Sequence, residues 1–117
     1  MILAVLNDLL FASKIRTTAK QLGVELTIVK SADAAATDAM RQHAPSLVIV
    51  DLNNTTGYPL EVLSSMQQDP VLSKIPTIGF ASHVQTELIE QARRAGAREV
   101  LPRSAFALRL GDILSGA

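Results

Sequence analysis

Short apolar runs closed by polar turns alternate along this chain with stretches in which apolar residues recur every three or four positions. Ile2-Leu3-Ala4-Val5-Leu6 is the first run, and Asn7-Asp8 close what reads as a buried strand. Phe11, Ile15, Thr18, Ala19 and Leu22 then follow at helical spacing, with Lys14, Arg16, Lys20 and Gln21 on the other side and Gly23 as the stop. Val24 to Val29 predicts a second strand. Ser31 and Asp33 cap and charge the start of a second helix, which carries Ala32, Ala35, Ala36, Ala39 and Met40 on one side and ends before Pro45.

The run Leu47-Val48-Ile49-Val50 leads straight into a single carboxylate, Asp51, and then into the polar loop Asn53-Asn54-Thr55-Thr56-Gly57. An unbroken apolar run of this length predicts a strand covered on both faces, at the centre of a parallel sheet. Pro59 fits the first turn of a third helix with Leu60, Leu63 and Met66 inside, ended by Asp69-Pro70. Ile75 to Ala81 is the fourth strand, and Ser82 with Gln85 forms a capping-box pattern for a helix lined by Leu88, Ala92 and Ala95 and stopped by Gly96. Glu99-Val100-Leu101, broken by Pro102, suits an edge strand. Ser104 is the expected cap of a last helix with Phe106, Leu110, Ile113 and Leu114 on one side, and the tail Ser115-Gly116-Ala117 is expected to fray.

Five strand–helix alternations without a linker or repeat predict one α/β domain spanning residues 1–117, a flavodoxin-like (βα)5 three-layer sandwich with parallel sheet order 2-1-3-4-5. That order sets the ends of the first and third strands side by side. Asn7, Asp8 and Asp51 then meet at the switch point where such sheets collect ligands and chemistry, which makes Asp51 the first functional candidate.

Composition narrows the class further. Lys plus Arg equal Asp plus Glu at 11 each, so no bulk field draws the chain to nucleic acid or an anionic membrane. Cysteine is absent, which removes disulfides, thiolate metal sites and a thiol nucleophile. No apolar run approaches a membrane span and no leader pattern opens the chain, so a cytoplasmic location is expected.

The residues quoted above resemble a response-regulator receiver domain over essentially the whole chain. Ile2-Leu3-Ala4-Val5 before a polar turn, Leu47 to Asp51 before the Gly57 loop, Asp69-Pro70 through Ile75-Pro76-Thr77-Ile78, and Ala95-Gly96-Ala97 before the last strand carry the likeness by their order and spacing. The resemblance implies a phosphoryl group taken from a histidine kinase onto an aspartate, with Mg²⁺ held by that aspartate and an acidic pair, and a hydroxyl and a lysine stabilising the remaining charge. The phosphoacceptor position falls on Asp51. The acidic pair falls on Leu6 and Asn7, or on Asn7 and Asp8 if the turn shifts by one residue. The hydroxyl position falls on Ala81, beside Ser82, which strand alternation would aim elsewhere. The lysine position falls on Arg103 and the following proline on Ser104.

These substitutions leave one or two of three carboxylates, and Asp51, Asp8 and Asn53 would make at best a weak Mg²⁺ site. Losing one preorganised stabilising group typically costs about 3–4 kcal/mol of transition-state stabilisation, so phosphotransfer is expected to be slow. The resulting expectation is a degenerate, pseudo-receiver domain, not an enzyme, acting by contact with a histidine kinase or another signalling protein or as a homodimer through residues 84–114, where Ile89 and Leu108 lie outside the inner stripes. The alternative is a working phosphoacceptor relay through Asp51 and Asp8. A small-ligand α/β module is a third class, without a dinucleotide-type glycine turn, a P-loop lysine or a nucleophile–base–oxyanion set to support it. Each candidate also has a plain structural reading. Asp51 can bond its own loop, Asn7 or Asp8 can cap the first helix, Ser82 can cap the fourth, and Arg103 can be a solvated strand end. His83, in a helix's first turn, and His43, before Pro45, read as surface residues.

Overall fold

The computed structural model describes residues 1–82 and 85–116. The elements run β1 (Ile2–Val5), α1 (Leu9–Leu22), β2 (Leu26–Val29), α2 (Ala34–His43), β3 (Leu47–Asp51), α3 (Pro59–Gln68), a short 3-10 turn (Leu72–Lys74), β4 (Thr77–Ala81), α4 (Thr86–Arg94), β5 (Glu99–Pro102), α5 (Arg103–Leu108) and α6 (Leu110–Ser115). The strands pair in the order β2-β1-β3-β4-β5, all parallel, as the alternation predicts. Register sets Val5 beside Val50 and Asp51 beside Phe80, so the ends of β1, β3 and β4 form one rim.

Strand alternation divides the core between the two faces of the sheet. Leu3, Val5, Val48 and Val50 pack with Ala36, Met40, Val62, Leu63, Met66 and Ala92 of α2, α3 and α4. Ile2, Ala4, Leu47, Ile49 and Phe80 pack with Phe11, Ile15, Ala19, Phe106, Leu110 and Leu114 of α1, α5 and α6. Every residue of β3 is buried, as a strand covered on both faces requires.

Several local expectations are corrected. Leu22 is exposed and Ala12 takes a place on the buried side of α1, because the stripe that meets the core runs through Phe11, Ala12, Ile15 and Ala19. Ala35 also faces outward. Ser82 does not cap α4: that helix begins at Thr86 with Gln85 as its N-cap, and the backbone N–H of Ser82 is held by Asn53 instead. Ser104 does not cap a helix either, since β5 runs directly into α5 and places Ser104 inside its first turn. The expected last helix is divided at Arg109 (φ −96°, ψ 5°), whose guanidinium bonds Glu99 at 2.7 Å. Ile89 packs against the core rather than standing free, whereas Leu108 is 88% exposed. The expectations for His83, Val84 and the fraying of Ala117 lie outside the described residues.

Candidate functional site

The rim of the sheet closes a crevice of about 310 Å³ lined by Asn7, Asp8, Asp51, Asn53, Asn54, Thr55, Ser82 and Arg103. Asp51 stands at its floor, 4% exposed, because β3 buries everything before it and the chain turns only at Leu52. Its Oδ1 accepts the backbone N–H of Asn53 at 2.9 Å. Burial pushes the Asp51 carboxyl above the usual carboxylate range; the Asn53 amide and the Arg103 charge partly offset this, and the nearby Asp8 charge adds to it.

Of the three candidates that follow β1, Asn7 and Asp8 line the crevice and Leu6 does not. Leu6 lies in the core beneath the rim and lines nothing in the crevice, which corrects its assignment to the acidic-pocket positions. Asn7 is exposed, and its Nδ2 donates to Thr56 Oγ1 at 3.0 Å. Asp8 faces the crevice while serving as the N-cap of α1. Its Oδ1 accepts the Phe11 N–H at 3.1 Å and its Oδ2 accepts from Arg103 at 2.7 Å. The Phe11 amide and then the Arg103 guanidinium hold the Asp8 carboxyl below its ordinary value against the opposing effect of burial.

Ala81, fully buried at the end of β4, offers the crevice no hydroxyl, whereas Ser82 does line it, contrary to the strand-alternation argument. The reason is that β4 ends at Ala81, so the chain has already left extended geometry. Ser82 N–H donates to Asn53 Oδ1 at 2.6 Å, and Asn53 Nδ2 donates to Gln85 Oε1 at 2.9 Å. The Asn53 side chain thereby ties the β3 loop to the start of α4.

Sequence reasoning missed how firmly the loop after β3 is clamped. Ala32 N–H donates to Thr56 O and Tyr58 N–H to Ala32 O, both at 2.8 Å, forming an isolated parallel bridge at Gly57. Asn54, buried, donates through Nδ2 to Lys30 O and accepts the Thr56 N–H on Oδ1. The available signal was the pairing of Gly57 with an Asn-rich loop, which marks a close approach of two backbones.

A hard divalent ion such as Mg²⁺ needs several oxygen ligands free to turn inward, preferably anionic ones. Here both Asp8 oxygens are engaged, the Asn53 side-chain oxygen is bonded to Ser82 N–H, and a guanidinium already occupies the crevice. Among the described residues, no group of three or more His, Cys, Asp or Glu side chains is placed to hold a metal. The residues present do not fit a divalent cation.

Because the folded chain raises the Asp51 pKa, the folded state holds that proton more tightly than the unfolded state. Stability attributable to this group therefore falls as pH rises from the ordinary carboxylate range through the raised value, and the loss is complete above it. Asp51→Asn is expected to raise the melting temperature by a few degrees at neutral pH, with the gain shrinking as pH falls through the raised Asp51 value and levelling off once the medium is below the ordinary carboxylate range. Thermal melts of both proteins across pH check this; a lower melting temperature for the variant at neutral pH would refute the sign.

No protein-family model matches the chain, and no curated protein matches its sequence. Its fold matches solved structures closely. The receiver domain of NtrX from Brucella abortus superposes with a TM-score of 0.83 at 22% identity, over 99% of this chain and 96% of that one. The phosphorylated cyanobacterial phytochrome response regulator RcpA gives 0.81 at 22% identity, over 98% and 88%. The Mn²⁺-bound form of response regulator Rcp1 gives 0.79 at 21% identity, over the same 98% and 88%. The chain has the receiver fold. No helix among the described residues is long and apolar enough to cross a membrane.

Proposed function

We propose that this chain is a receiver-type signalling domain that works through protein–protein contact and whose metal-dependent aspartate phosphorylation is weakened or lost. The observation that supports it is the state of the rim: one buried carboxylate, Asp51, faces an Asp8 already paired with Arg103 at 2.7 Å, with no hydroxyl on Ala81. Such a site keeps the phosphoacceptor's place, while the oxygens that would hold a metal to neutralise an incoming phosphoryl group are already engaged. The domain is a binding partner rather than an enzyme, and its place is the cytoplasm.

The partner is a histidine kinase or another signalling protein, or a second copy of the chain, met through residues 84–114. Among the described residues of that face Leu108 is the exposed large apolar side chain, while Ile89 is partly buried against the core. Nucleic acid is not the target of a chain with equal numbers of acidic and basic residues.

One observation favours a second reading, a working relay through Asp51: Asp8 does face the crevice and supplies a second carboxylate. Incubation with Mg²⁺ and a small acyl phosphate, followed by intact-mass measurement, decides between them. The expected result is no added phosphoryl mass. Stoichiometric addition to the wild type, absent from Asp51→Ala, would establish the relay.

A further inference from the structure

The crevice holds a cation of its own. Arg103 opens α5 directly from β5, so its side chain starts at the rim and not on a free helix face. Its Nη2 donates to Asp8 Oδ2 at 2.7 Å, and its guanidinium carbon lies 4.8 Å from the Phe11 ring centroid and 5.9 Å from that of Phe80. The partners thus come from a helix cap on one side and two aromatic rings on the other. A guanidinium does not deprotonate in a protein, so this charge is permanent.

We infer that Arg103 is the resident cation of the crevice and that its guanidinium keeps divalent metal away from Asp8 and Asp51. A divalent ion reaching Asp8 has to break a short, charge-assisted pair and then lie beside a positive group that its aromatic floor holds in place. The electrostatic need of the two carboxylates is met from within the chain, with Asp51 close enough to sense the Arg103 charge. Among the described residues the buried Nε–H of Arg103 has no hydrogen-bond partner, which fits a side chain positioned by its charge and its stacking more than by a complete set of hydrogen bonds. This deepens the reading above, resting on it only in taking the crevice as the functional rim.

Three proteins test it by thermal melting with and without Mn²⁺: the wild type, Arg103→Lys and Arg103→Met. Methionine keeps an unbranched apolar stem over the rings and frees Asp8; lysine keeps a charge but loses the planar fork. The wild type and Arg103→Lys are expected to melt at the same temperature with or without the metal, and Arg103→Met to gain a saturable rise of several degrees that Asp8→Asn in the same chain abolishes. A metal-induced rise in the wild type would overturn the inference, as would the absence of one in a folded Arg103→Met. A rise in Arg103→Lys equal to that in Arg103→Met would overturn the role given to charge. Should Arg103→Met fail to give a native circular dichroism spectrum, Arg103→Gln carries the same arms with the same outcomes. Phosphoryl transfer to Asp51 would defeat the proposed function without touching these arms, and a metal response in the wild type would defeat the inference even if no phosphoryl mass were ever added.

Discussion

Phe80→Ala is expected to lower the melting temperature by roughly 12–20 °C, the equivalent of about 3–5 kcal/mol for truncating a buried aromatic in a chain of this size. The effect is large because the chain's three phenylalanines form one cluster. Phe80 stacks on Phe106 with centroids 4.8 Å apart and meets Phe11 tilted at 5.1 Å, while itself fully buried in β4. Removing it leaves a cavity between the sheet and α1 and α5. It also removes part of the floor under Arg103, which is 5.9 Å from its ring. Thermal melting gives the magnitude, and Phe80→Leu separates the two roles: it is expected to recover most of the stability while loosening the Arg103–Asp8 pair, seen as a rise in the Asp8 pKa. A fall of only a degree or two for Phe80→Ala would mean that the cluster does not bind the rim to the core.

Gly57→Ala is expected to cost about 2–4 kcal/mol, or roughly 8–16 °C, from a left-handed backbone combined with overpacking. Gly57 has φ +96°, and a Cβ placed there would lie 2.3 Å from the carbonyl oxygen of Ala32. Neither obstacle yields easily, since the contact is with backbone and Ala32 is itself held by hydrogen bonds to Thr56 and Tyr58. Gly23 supplies the control: it also has positive φ, +69°, but a Cβ there meets nothing, so Gly23→Ala should cost only about 1 kcal/mol. Equal losses at the two positions would show that backbone conformation alone, and not the bridge to Ala32, sets the penalty. Because the bridge anchors the loop carrying Asn54 and Thr56, Gly57→Ala should also shift the amide resonances of the crevice.

The sequence made the sheet legible because each strand is a short apolar run ended by a residue that cannot continue it. Strand order followed from the parallel crossovers, and Asp51 could be placed at the rim because nothing polar interrupts Leu47 to Val50. The rim itself was harder to read. Leu6 or Asn7, Asn7 or Asp8, differ by one residue of turn, and what chose among them was the need of α1 for a cap at Asp8, together with a cation arriving from a residue 95 positions away. Ser82 failed as a cap because a tertiary bond from its N–H to Asn53 outweighed a local pattern, an outcome that spacing along one chain does not reveal. Ile89 failed as a surface residue for a related reason: tertiary packing leaves it, like Leu88, partly buried against the core.

Both proposals for this domain depend on a rim whose negative charge is answered by Arg103 rather than by metal. The most direct test is a Mn²⁺ titration of the wild-type chain followed by amide nuclear magnetic resonance, since a paramagnetic ion broadens the amides nearest to it. The amides of Asp8, Asp51 and Asn53 are expected to keep their intensity relative to Glu25 and Ser46 at the opposite edge of the sheet. Saturable broadening confined to Asp8, Asp51 and Asn53 would place a divalent ion in the crevice and contradict the account.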